Sequence, residues 1–225
     1  MSLAEQYHVI ALDQRGHGDS PFAENYPLLD YVDDIRAVLD GLDLRDVVLI
    51  GHSAGSKNAW LSIGRYPGRV SQLVITDMDP DGHNPGSIEM ITRYKYESDE
   101  YENFEAVVER IASRQPNSSL ASIRYAAQVM TRALPDGRFI WKRDRNVVLK
   151  YDRPDVWDSL SQVHVPTLII RGAESTLLRA EVAERMVQEI PNCSLIELPG
   201  GGHWVHLERP ESYLEAVRSF VEANR

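Results

Sequence analysis

The chain has almost no cysteine, no long apolar run and a deficit of positive charge, and each lack removes a class of protein. Its single cysteine, Cys193, cannot close an internal disulfide, and the run Cys193-Ser194-Leu195-Ile196 reads as a buried strand in which Cys193 serves as a small hydrophobe. That usage points to a reduced, cytoplasmic setting. No apolar stretch approaches the ~18 residues of a membrane helix, and Met1-Ser2-Leu3-Ala4-Glu5-Gln6 has neither the basic end nor the apolar core of a secretory signal. Lys and Arg number 24 against 34 Asp and Glu, a net charge of −10 that disfavours nucleic acid and anionic lipid as partners. No repeat or low-complexity tract appears. No group of histidines and carboxylates falls at metal-ligand spacing, so neither metal nor cofactor is expected.

What is present is an alternation of short β-branched runs with longer amphipathic stretches. Val9-Ile10-Ala11-Leu12 reads as a strand running into the turn-rich Asp13-Gln14-Arg15-Gly16-His17-Gly18-Asp19-Ser20. Leu29, Val32, Ile35, Leu39 and Leu42 recur at helical spacing. Val47-Val48-Leu49-Ile50 reads as a strand buried on both faces, 54–66 as a helix, and Val70 to Thr76 as the next strand. After Pro166 come a strand from Thr167, a helix over 179–190, a strand from Ser194 to Leu198 and a final helix from Pro210 to Val221. Such alternation predicts an α/β fold, a mostly parallel sheet flanked by helices. The segment 80–160 breaks the rhythm with helical stretches near 104–114 and 118–134, and is expected to form a helical cap on a core of 1–79 and 161–225.

Gly51-His52-Ser53-Ala54-Gly55 stands between a buried strand and a helix. A sharp turn there would thrust the Ser53 hydroxyl out at the sheet's carboxyl edge, with the Ala54 amide at the helix start facing a developing oxyanion. His203 follows a strand and the turn Pro199-Gly200-Gly201-Gly202, and an imidazole there can take the serine proton and return it.

In order and spacing these segments resemble the α/β-hydrolase superfamily. The resemblance rests on Asp13 to Ser20, Gly51 to Gly55, Tyr66-Pro67-Gly68-Arg69-Val70, Val165 to Gly172 and Gly201 to Pro210. It implies a serine hydrolase with Ser53 as nucleophile and His203 as base. The triad acid usually lies three residues after Gly172, where this chain has Ser175. The resemblance leaves Asp77, twenty-four residues beyond Ser53, and Glu174 as alternative acids. It also implies that an early strand, whose loop donates the second oxyanion amide, is missing, so the chain reads as N-terminally incomplete. Exposed strand edges left by that gap would favour a homo-oligomer.

The expected substrate is a small, largely apolar ester, thioester or lactone. A carbon–carbon bond hydrolase on the same machinery and a non-catalytic binding protein are the alternatives. Trp141, Trp157 and Met130, with Phe139 and Met90, are expected to line the site from the cap. His52 belongs to its border as a neighbour whose ring points away from the serine.

Overall fold

The computed structural model describes residues 3–225. In chain order its elements begin with α1 (Leu28–Gly41), β1 (Val47–His52), α2 (Ala54–Arg65) and β2 (Val70–Thr76). Then come α3 (Pro85–Tyr96), β3 (Glu100–Tyr101), α4 (Phe104–Ala112), α5 (Leu120–Met130), β4 (Thr131–Ala133), β5 (Phe139–Trp141) and α6 (Asn146–Leu149). The chain closes with β6 (Thr167–Gly172), α7 (Ala180–Glu189), β7 (Cys193–Leu198), α8 (Val205–Glu208) and α9 (Pro210–Ala223).

Four strands form a parallel sheet in the order β1-β2-β6-β7. Period-two alternation sends successive side chains of a strand to opposite faces, and this sheet fills both. Leu73, Ile75 and Ile169 pack with Trp60, Leu160 and Met186 on one side. Val74, Leu168 and Ile170 pack with Val205, Val217 and Val221 on the other. The core is therefore a helix–sheet–helix sandwich whose strands all point their carboxyl ends the same way. At that end the next residue after each strand is free to carry chemistry.

Three expectations need correction. Val9-Ile10-Ala11-Leu12 forms no strand: it runs as irregular chain, with Val9, Ile10 and Leu12 all exposed. Strand-forming residues make a strand only where a neighbour takes up their backbone groups, and β1 pairs with β2 alone. β1 is accordingly an edge, and Ile50 on it is 44% exposed. The middle segment, expected to be helical, also holds a three-stranded antiparallel sheet, β3-β5-β4. Its hairpin turns at Pro135-Asp136-Gly137, where Gly137 takes φ 87° and the Leu134 amide donates to the Arg138 carbonyl. Proline followed by a residue pair that tolerates left-handed backbone was a legible turn signal. Cys193 is half-buried rather than buried, because it opens the outer strand β7.

Trp60 is fully enclosed and its indole donates to Ser159 Oγ at 3.1 Å. Trp60→Ala should cost about 3–5 kcal/mol of stability, measured as a lowered urea midpoint with the slope unchanged.

Candidate active site

The elbow forms because β1 hands directly to α2 with one strained residue between. Ser53 adopts φ 53° and ψ −129°, which a residue with a side chain occupies only when its surroundings hold it there. The hold comes from β2. The Ser53 amide donates to the Thr76 carbonyl at 2.9 Å, and the Thr76 amide donates to Ser56 Oγ at 3.0 Å. Gly51 is required by space, since a Cβ there would meet Ser56 N and Cα at 2.5 Å. Gly55 is not: its Cβ would touch only Gln14 Nε2, at 3.7 Å. The Ala54 amide opens α2, where no preceding turn supplies an acceptor.

Asp77 follows β2 at φ 48° and is 0% exposed. Its carboxylate accepts three hydrogen bonds: from His203 Nδ1 at 2.9 Å, Ser175 Oγ at 2.5 Å and the Gly172 amide at 3.1 Å. With Nδ1 donating to the carboxylate, His203 keeps Nε2 as its acceptor. Glu174 takes no part in this. Its carboxylate accepts from Asn117 Nδ2 at 2.8 Å, and its amide donates to the Gly201 carbonyl. Of the two alternatives, then, Asp77 holds the imidazole, because β2 ends directly beneath the His203 loop while the Glu174 side chain turns outward.

His52 supports the His203 loop. Its Nε2 donates to the His203 carbonyl at 2.8 Å, and its ring lies 4.6 Å from His203, 4.5 Å from His206 and 5.0 Å from Trp204 between centroids. Burial lowers the pKa of His52, and burial with the adjacent His203 lowers that of His206 to about 4. Glu208, its pKa raised by burial, accepts from the Gly202 amide and so pins the turn before His203. Neither Ser175 nor Glu208 carried a legible role in the sequence. Only their three-dimensional neighbours give them one.

Ser53, Ala54, His203, Trp204 and Glu174 line one cavity of about 1480 Å³, which extends along the free edge of β1. A lobe of about 160 Å³ also opens on Ser53 and Ala54. Among the described residues Ser53 Oγ makes no hydrogen bond to His203, although both face the larger cavity. Met90 lines both spaces, but the other expected cap contacts line neither. Trp141, Phe139 and Met130 pack together against α4 and α5, and Trp141 stands edge-on to Tyr101. Trp157 is spent on the core, with its indole donating to Asp81 and the Arg185 guanidinium over its ring. Trp141, Phe139 and Trp157 are thus spent on packing, while Tyr94 and Tyr151 of the same segment line the spaces beside Ser53. No group of three or more metal-ligating side chains occurs among the described residues.

Residues 2–210 match the sequence model of the α/β hydrolase fold family. The chain belongs to that family. A 2-(acetamidomethylene)succinate hydrolase of Mesorhizobium japonicum is 29% identical over 229 residues, covering 98% of this chain and 81% of the relative. The sn-1-specific diacylglycerol lipase ABHD11 of Mus musculus is 29% identical over 220 residues, covering 95% and 71%. The crystal structure of E-2-(acetamidomethylene)succinate hydrolase superposes with a TM-score of 0.86 at 29% identity, covering 93% of this α/β hydrolase and 79% of that chain.

A contrast of two glycines checks the geometry. A Cβ on Gly172 would meet the Gly202 and Gly201 carbonyl oxygens at 2.2 and 2.5 Å, so Gly172→Ala must push the His203 loop off β6. It should lose about 1–3 kcal/mol, read as a fall in Tm. Gly55→Ala, despite its place in the motif, should hold or raise Tm, by up to about 1 kcal/mol.

Proposed function

We propose that this chain hydrolyses the ester, thioester or lactone bond of a small, largely apolar substrate through an acyl-enzyme on Ser53. The reading rests on one observation: a buried Asp77 carboxylate holds His203 Nδ1 at 2.9 Å beside the strained turn that carries Ser53.

In this reading His203 Nε2 takes the Ser53 proton as Oγ attacks the carbonyl carbon. Asp77 stabilises the imidazolium and fixes the ring. The Ala54 amide donates to the tetrahedral oxyanion, and collapse expels the alcohol or thiol with the proton from His203. Water then repeats the sequence and releases the acid. The segment 80–160 acts as the cap, supported by Met90, Val147 and Tyr151 on the wall of the smaller lobe. Relatives named as a succinate-derivative hydrolase and a diacylglycerol lipase support the hydrolase class and span very different substrates. No helix among the described residues is long and apolar enough to cross a membrane. A cytoplasmic site of action rests on the single cysteine alone.

A second reading, a hydrolase-like binding protein, draws on the absence of a Ser53–His203 hydrogen bond among the described residues. Labelling by a fluorophosphonate separates the two. The enzyme reading requires an adduct on Ser53 that Ser53→Ala abolishes, and a blank on folded protein overturns it. In p-nitrophenyl acetate turnover Asp77→Asn should cost about 10²–10⁴ in kcat, while Glu174→Gln should stay within a factor of three or so, as an exposed residue off the imidazole. Equal losses in both variants would remove Asp77 from its assigned role.

A further inference from the structure

The lobe of about 160 Å³ beside Ser53 has a feature that acyl transfer does not use. Lys57, on its wall, is 1% exposed, and no hydrogen bond or ion pair to its ammonium is present among the described residues. An ammonium enclosed at the wall of the lobe, with carboxylates acting on it through space alone, has its three donors free for an acceptor that enters the lobe.

The nearby carboxylates are otherwise engaged. Asp79 accepts from the Asn84 amide, Asp155 from the Trp157 backbone amide at 3.2 Å, and Asp81 from the Trp157 indole at 2.6 Å with Arg179 at 3.7 Å. All three bear on Lys57 only through space. Of the charged side chains on the lobe's wall, Lys57 and Arg153 are cationic and Asp81 alone is anionic. Arg153 spends both terminal nitrogens on the Tyr151 and Val148 carbonyls, at 2.8 and 2.7 Å, which fixes its positive charge in place. Burial lowers the Lys57 pKa and raises that of nearby Asp79 to about 6.

We propose that the lobe receives a carboxylate at the far end of the acyl chain, paired with Lys57, so that the preferred substrates are monoesters of short dicarboxylic acids. Lys57 lies four residues after Ser53, about 6 Å along the helix axis. Both residues line the same lobe of about 160 Å³, room for a short acyl chain with the carbonyl at Ser53 and the carboxylate at Lys57. The proposal rests on the acyl-transfer chemistry above and replaces its largely apolar acyl group with one that ends in a carboxylate.

The test compares two esters of the same shape, monomethyl glutarate and methyl 5-methylhexanoate, by pH-stat titration at pH 7.5. Wild type should favour the glutarate ester in kcat/KM by about 10- to 100-fold, the worth of a charge-assisted hydrogen bond. Lys57→Met, shown to be folded by its thermal melt, should bring the ratio to one or below, and Lys57→Arg should recover part of it. A wild-type preference for the uncharged ester, or a ratio unaltered by Lys57→Met, overturns the proposal. Calorimetric titration of glutarate into Ser53→Ala protein gives an arm independent of turnover. Saturable binding that Lys57→Met removes in that background supports the carboxylate site, and binding that is absent or indifferent to Lys57 refutes it. Should neither ester be cleaved, the hydrolase reading fails, and this titration still decides Lys57 by itself.

Discussion

The structure turns on a single buried anion. Asp77 has no exposed surface, and a carboxylate in that position is tolerable only because three donors converge on it. Those donors come from the end of β6, the loop after it and the loop after β7, while Asp77 itself ends β2. Its neighbour Thr76 accepts the Ser53 amide. One charge therefore ties the carboxyl ends of the parallel strands to each other. Placement of Ser53 and His203 follows from these hydrogen bonds.

The aromatic ring cluster around His203 does the complementary work. His52 and His206 lie against the base, and burial with mutual proximity depresses their basicity, to about 4 for His206. Above that pH His206 is neutral and competes neither for the serine proton nor for Asp77. An imidazole packed among neutral rings, with its own carbonyl bound by His52, has little freedom to turn away from the carboxylate. Rigid positioning of the base is thus achieved by packing on one side and by charge on the other.

Much of this was legible in the sequence wherever the signal was local. Val47–Ile50 with Gly51–Gly55 announced a strand, a turn and a helix within a dozen residues, and the family resemblance over Gly201–Pro210 singled out His203. What failed were particular segments whose place depends on a partner far along the chain. Val9–Leu12 has a strand's composition but no neighbour to pair with, so composition alone misleads. Trp141, Trp157 and Met130 looked like substrate contacts because an aromatic residue in an insertion is equally suited to bind a ligand or a neighbouring helix. Lys57 sits on an amphipathic helix, where a lysine normally reads as solvent-facing. Only packing against the middle segment encloses it.

Ser175 is the instructive case. Read against the family pattern, a hydroxyl where an acid is usual looks like the loss of a function. Against Asp77 it is what the electrostatics demand. Two carboxylates within hydrogen-bonding distance cannot both stay ionised, and one must take up a proton. With Asp77 at the end of β2, an acid at 175 would set like charges together, whereas a hydroxyl donates to the Asp77 carboxylate. Asp79 shows what happens without such help. Two residues further on and almost as deeply buried, it accepts from Asn84, beside Asp81, and its pKa is pushed up to about 6. Identical side chains in one short segment are thus held differently: three donors converge on the Asp77 carboxylate, while burial dominates at Asp79.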